Sequence, residues 1–123
     1  MISDVIQTQF ARVRQDFPEA TLTEQPDGNV HLEVRGVRLP PGWNKEVASI
    51  LIIVPANFPN SRPDGLYADA DLNLSSGQVS AGRAEVAGRP WLRFCWQVQT
   101  WDPARDTLWK YVKAMLLRFL DLS

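Results

Sequence analysis

The stretch RFCWQVQTWDP, residues 93–103, carries the only cysteine of the chain, Cys95, in a run that alternates apolar and polar residues. Leu92, Phe94, Trp96 and Val98 fall to one face, and Arg93, Cys95, Gln97 and Gln99 to the other, which predicts an extended strand. Directly after it, Asp102 suits a helix cap and Pro103 the first helical position. The spacing then predicts a helix buried along Leu108, Val112, Met115, Leu116, Phe119 and Leu120. What the strand is for turns on Cys95. A lone cysteine is commonly a buried filler. Here the aromatic residues take the opposite face, and Cys95 shares its side with Arg93 and Gln97, a polar setting that suits a reacting thiol.

Working outward, the 123 residues are 45% hydrophobic and 22% charged, which fits a single globular domain over 1–123. Thirteen Lys and Arg against fourteen Asp and Glu leave a formal charge of −1, so neither nucleic acid nor an anionic membrane is an expected partner. One cysteine excludes an internal disulfide and a cysteine-based metal cluster. No apolar run approaches the ~18 residues of a membrane span, and the first residues lack a signal-peptide pattern. A cytoplasmic protein is expected.

Upstream, Ile2, Ile6, Phe10, Val13 and Phe17 recur at helical spacing, with Ser3 as cap and Pro18 as stop. Arg12 and Arg14 face away from this stripe and either solvate the helix or help to dock a partner. From Ala20 the period changes to that of strands, with Asp27-Gly28 as a turn signal and His31 on the polar face opposite Val30, Leu32 and Val34. Val47–Val54 is too apolar to have a wet face and is expected in the centre of an antiparallel sheet. VPANFPNSRPDGLY, residues 54–67, holds three prolines and reads as an ordered turn rather than a strand. Residues 68–90 show little periodicity and read as a long surface excursion. Asp64, Asp69 and Asp71 border it without the regular carboxylate spacing of a calcium loop. Trp43, in the proline-rich LPPGWNK connection, is expected to be partly exposed and open to a partner. The order of elements is that of an α+β domain: N-terminal helix, antiparallel sheet of about four strands, long irregular segment, C-terminal helix.

This order resembles the ubiquitin-conjugating enzyme superfamily, as do three local features. Phe58, Pro59 and Pro63 match the family's aromatic–proline–three residues–proline turn. Trp101, Asp102 and Pro103 follow Cys95 as a tryptophan, a cap and a proline follow the family's active cysteine, at a slightly shorter gap. An amphipathic helix precedes a strand meander. Within the superfamily the chain is similar to a bacterial branch found beside activating-enzyme, peptidase and ubiquitin-like genes. Pro40–Gly42, Pro55–Tyr67, Gly88–Trp91 and Trp101–Tyr111 stand where that branch has its motifs. The chain departs from the family in lacking the His-Pro-Asn triplet before the cysteine, and in having Gln97 where the branch often has histidine. The branch also often has serine at the cysteine position.

The resemblance implies that Cys95 receives the C-terminal glycine of a ubiquitin-like protein from an activating enzyme, as a thioester, and passes it to an amine, usually a target lysine. A thiol suits this because it is nucleophilic at neutral pH and the incoming thioester is already activated. No cofactor is implied. Asn73 and Gln97 are the candidate supports for the oxyanion, and Asp102 is the nearest acid for the amine step, although capping is its simpler role. Arg12, Arg14, Trp43, Phe58 and Pro59 are the candidate partner contacts. The alternative is a catalytically inactive variant of the same fold, serving as a protein-interaction module.

Overall fold

In a computed structural model that describes all 123 residues, helix α1 spans Asp4–Asp16 and six strands follow: β1 Thr21–Glu24, β2 Val30–Arg38, β3 Val47–Val54, β4 Asp64–Asp69, β5 Gly82–Val86 and β6 Arg89–Phe94. Helix α2 spans Leu108–Leu116 and runs into a 3₁₀ turn, Leu117–Leu120. The strands form one antiparallel sheet in the order β1-β2-β3-β4-β6-β5. The fold is α+β, with six strands where about four were expected.

Local chemistry explains most boundaries. Ser3 accepts from the Ile6 N–H and caps α1, and Pro18 follows its end. In β2, Gly36 has φ +72° and lies at a register shift between Val34 and Val37. That is a bulge, which needs a residue free to adopt positive φ. Both helices cover one face of the sheet. Ile6 and Val13 of α1, and Leu108, Val112 and Met115 of α2, pack with Val30, Leu32, Ile50, Ile52, Leu66 and Phe94 in one buried cluster. The opposite face carries a smaller cluster of Leu51, Tyr67 and Trp91. Arg89 stacks 4.0 Å above Trp91 and pairs with Glu33 at 3.0 Å, which ties the β5–β6 hairpin to β2.

Three readings of the sequence are corrected. The turn expected at 54–67 ends early: Pro63 stands just before β4, so its missing N–H removes no ladder bond. The excursion expected over 68–90 is instead the end of β4, a shorter loop at 70–81 and the β5–β6 hairpin. Ala87 and Gly88 close that hairpin, both at positive φ, +51° and +78°, in a two-residue turn between the Val86–Arg89 pair. Leu72, Leu74 and Val79 of the loop are buried in the main core. Finally, Asp102 and Pro103 do not open the last helix. The Asp102 carbonyl accepts from the Arg105 and Asp106 N–H groups, its carboxylate accepts from Ala104, and Asp106 returns a carboxylate to the Asp102 N–H. The turn closes on itself, extended Thr107 follows, and the Thr107 hydroxyl accepts from Lys110 to cap α2. The buried stripe holds for Leu108, Val112, Met115 and Phe119, whereas Leu120 is exposed and Tyr111 is buried in addition.

Candidate active site

β6 ends at Phe94, paired with Leu66, and Cys95 is the next residue, with its thiol exposed. Phe94 and Leu92 point into the core while Arg93 and Cys95 face outward, as the alternation predicts. Residues 95–101 then run without regular pairing and are held in place by side chains. Arg62 donates to the Val98 carbonyl at 2.9 Å. The Gln97 amide donates to the Pro63 carbonyl at 3.2 Å, and its oxygen accepts from the Val98 N–H at 2.8 Å. The Trp101 indole donates to the Pro59 carbonyl at 2.8 Å, and the Trp96 indole to the Ala114 carbonyl at 3.0 Å. The turn at Pro59–Pro63, whose Phe58–Pro59 peptide is cis, thus acts as a bracket for the segment after the cysteine. Gly65 lies inside this bracket at φ +78°, where an added Cβ would stand 2.8 Å from the Tyr67 ring.

Two depressions flank the thiol. The larger, about 670 Å³, is lined by Cys95, Trp96, Val98, Ala114, Met115 and Leu117 among others, and is mainly apolar. The smaller, about 420 Å³, adds Arg62, Asp64, Gly65 and Arg93 to Cys95 and Gln97. Beneath them Tyr111 is buried, its ring edge-on to Trp101 at 6.3 Å. Burial pushes its hydroxyl up to about 12, against the opposing hydrogen bond from Gln97. It stays a neutral structural group at working pH.

Of the residues expected at the site, Gln97 lies beside Cys95, but both ends of its amide are engaged, so it positions the segment. Asn73 does not line either depression. Its side-chain oxygen accepts from Val79 and its backbone pairs with Asn44, so it closes the 70–81 loop. Asp102 closes the turn before α2. Trp43 corrects the expectation of exposure: it is 6% exposed, its indole donates to the Phe119 carbonyl at 2.9 Å, and the two rings pack at 5.5 Å. Phe58 is likewise buried, against Trp101, while Pro59 is half-buried. Arg12 lies 4.3 Å over Trp109 and pairs with Asp16, and Arg14 donates to the Pro18 carbonyl. His31 is half-buried on the outer face, where burial lowers its pKa against a weaker opposing pull from Asp27. Arg62 and Tyr111 were missed by sequence reasoning. Arg62 lay in a run read for its prolines, Phe58 and Asp64, and no linear signal joins it to Val98.

No group of three or more His, Cys, Asp or Glu side chains is placed to hold a metal ion, and no helix is long and apolar enough to cross a membrane. No curated protein and no solved structure matches the chain. A family model does: that of prokaryotic E2 family E matches residues 16–119, from the last residue of α1 into the 3₁₀ turn after α2. The match takes in the Pro59–Pro63 bracket, Cys95 and the helix behind them, and by it the chain belongs to prokaryotic E2 family E.

Proposed function

We propose that the protein is a conjugating acyltransferase. Cys95 accepts the C-terminal acyl group of a ubiquitin-like protein from an activating enzyme, holds it as a thioester and passes it to an amine, usually a target lysine. The observation that carries this reading is an exposed thiol at the end of a core strand, fixed by the Pro59–Pro63 bracket and open on two sides. Openness on two sides suits a group that must meet a donor and then an acceptor. No histidine or carboxylate is hydrogen-bonded to the thiol. Exchange with an activated thioester does not require one, because a thiol is nucleophilic even when only a small fraction is thiolate.

The test is to mix the chain with an activating enzyme, a ubiquitin-like protein and ATP. The expected product is an adduct cleaved by thiol reductant. Cys95→Ser would give a reductant-stable oxyester in its place, and Cys95→Ala none. A thiol-labile adduct that persists in Cys95→Ala would defeat the proposal. A second reading, an interaction module without acyl transfer, draws on the placement of Asn73 and Gln97, since Asn73 lines neither depression beside the thiol and both ends of the Gln97 amide are engaged elsewhere. It predicts binding of the same partners without any adduct.

A further inference from the structure

Strand β5, Gly82–Val86, is the last of the sheet and pairs only with β6. The turn at Ala87–Gly88 fixes which of its backbone groups face β6. Residues flanking a two-residue hairpin turn exchange hydrogen bonds, so Val86 bonds Arg89, and by alternation Ala84 bonds Trp91 and Gly82 bonds Arg93. Pro90, which has no N–H to give, stands opposite Glu85 at a non-bonded position. The N–H and C=O groups of Arg83 and Glu85 therefore point away from the sheet, and no other segment of the chain bonds them. Such an open row can template a further strand. Both side chains are exposed; Glu85 forms no ion pair, and Arg83 reaches only the Ala70 carbonyl, at 3.2 Å. On the other face, Ala84 and Val86 pack against the Leu51, Tyr67 and Trp91 cluster. At the opposite edge of the sheet, the one charged residue of β1 is Glu24, and the Met1 amino group holds it.

We propose that β5 is a self-association edge, at which two copies of this chain pair antiparallel about a two-fold axis and continue one sheet into the other. Register decides the occupant. Only residues whose backbone groups point outward can exchange bonds across the seam. Over the length of β5 that leaves Arg83 opposite Arg83, Glu85 opposite Glu85, or Arg83 of one copy opposite Glu85 of the other. The first two arrangements set like charges face to face, which is destabilising. The third sets opposite charges together on both sides of the axis, and each Arg83–Glu85 pair exchanges both of its N–H···O bonds. Ala84 then meets Ala84 on the axis, and Val86 lies opposite Gly82 of the other copy. At Gly82 even an added Cβ would meet only the Arg93 carbonyl oxygen, at 3.8 Å, so the valine has room. The outer apolar cluster thus continues across the seam. Charges of one sign on an edge strand keep copies apart; opposite signs two residues apart are their own complement. Cys95 takes no part in the pairing, which is therefore independent of the acyltransferase reading.

The experiment is sedimentation of the whole chain from about 10 μM to about 1 mM, a span suited to a short interface. The parent is expected to pass from monomer to dimer within it. Arg83→Glu and Glu85→Arg, both at exposed positions, each set like charges across both pairs and are expected to weaken the dimer about 10-fold or more. In an equimolar mixture of the two variants, the changed residues meet each other across the seam and the unchanged residues meet as before. Opposite charges are restored at every pair, and a heterodimer about as tight as the parent dimer is expected. A parent that stays monomeric up to about 1 mM overturns the proposal, as does a dimer that neither variant weakens by more than about twofold. A mixture that associates no better than the separate variants overturns it as well. Hydrogen exchange in the unaltered chain gives a second measurement that needs no variant. The Arg83 and Glu85 amides should gain protection between about 10 μM and about 1 mM, and protection that does not change with concentration overturns the proposal.

Discussion

Two irregular parts of the molecule are built with the same device and end in opposite states. At Trp43–Lys45 and the 70–81 loop, an indole N–H reaches the Phe119 carbonyl, Asn44 and Asn73 bond each other, and Lys45 bridges Asp69 and Asp71 at 3.0 and 2.9 Å. Around Cys95 the indoles of Trp96 and Trp101 also reach backbone carbonyls, but Asp64, Arg93 and the thiol remain exposed and unpaired. In the first region polar groups are used up in holding the loops. In the second, holding is done by indoles, one amide and the Arg62 guanidinium, and the charges of Asp64 and Arg93 are left over at the surface. Uncommitted charge beside an exposed, braced thiol is what distinguishes this surface from the well-packed loop.

The contrast breaks most visibly at Trp43. Trp43→Ala removes a buried ring and its hydrogen bond, and is expected to cost about 3–5 kcal/mol in a urea titration. The labelling rate of Cys95 in the fraction that remains folded should not change. A large change in labelling there would mean that the two regions are not separable.

Tyr111 sharpens the comparison from below, since it supports the site through burial. Its hydroxyl is pushed up to about 12 in the folded chain, chiefly by desolvation, against an ordinary ~10. A raised folded pKa contributes stability that is fully present below about pH 10 and is lost as pH rises towards about 12. Unfolding followed by circular dichroism should therefore show an alkaline limb of about 2 kcal/mol over that window. Tyr111→Phe should flatten it. An equally steep limb in Tyr111→Phe would assign the effect to other groups.

The two regions also differ in what a linear reading can reach. α1, β2 and β3 were legible because each pairs a clear period with a clear stop. The hairpin was not, because Ala87-Gly88 lacks the Asn-Gly or Asp-Gly signal of its turn type and β5 is an exposed edge strand with little apolar pattern. β4 was hidden by Pro63 and Gly65, which punctuate its start without preventing it. Asp102-Pro103 is a strong start signal that the chain spends on one closed turn, and the true cap, Thr107, is ordinary in sequence. Trp43 was misread because proline-rich connections are usually surface, whereas its partner carbonyl lies 76 residues away. At the site, the outward face of Cys95 was legible from alternation alone. The Arg62, Gln97 and Trp101 bracket was not, because each bond joins residues more than thirty positions apart in the chain.

Trp101→Phe tests the bracket with a smaller change. The ring that packs on Phe58 and Tyr111 is kept, and only the bond to the Pro59 carbonyl is lost. Stability should fall by about 1 kcal/mol. The rate at which the loaded thioester discharges should fall further than that figure predicts, since the bracket positions the segment after Cys95. Discharge at the parental rate would show that positioning does not depend on this bond.

The smallest effect is expected at Lys45, because the closed region distributes its charges over several partners. Lys45→Met removes both ion pairs, yet Asp69 keeps the Ser49 N–H at 3.0 Å and Arg89 at 3.8 Å, and the Asp71 side chain is already 75% exposed. The cost should be about 0.5 kcal/mol at low salt and should shrink towards zero at about 1 M salt, where charges are screened beyond ~3 Å. The lysine also holds the Asp71 carboxyl below its ordinary range through their hydrogen bond, and Asp71 raises the lysine in return. A depressed carboxylate contributes stability that is present above its unfolded pKa and is lost as pH falls through the folded one. The acid limb of a stability profile should therefore become slightly shallower in Lys45→Met, with the neutral plateau little changed. A salt-independent loss of several kcal/mol would show instead that Lys45 is the keystone of its region, and that the closed part of the molecule depends on a single charge.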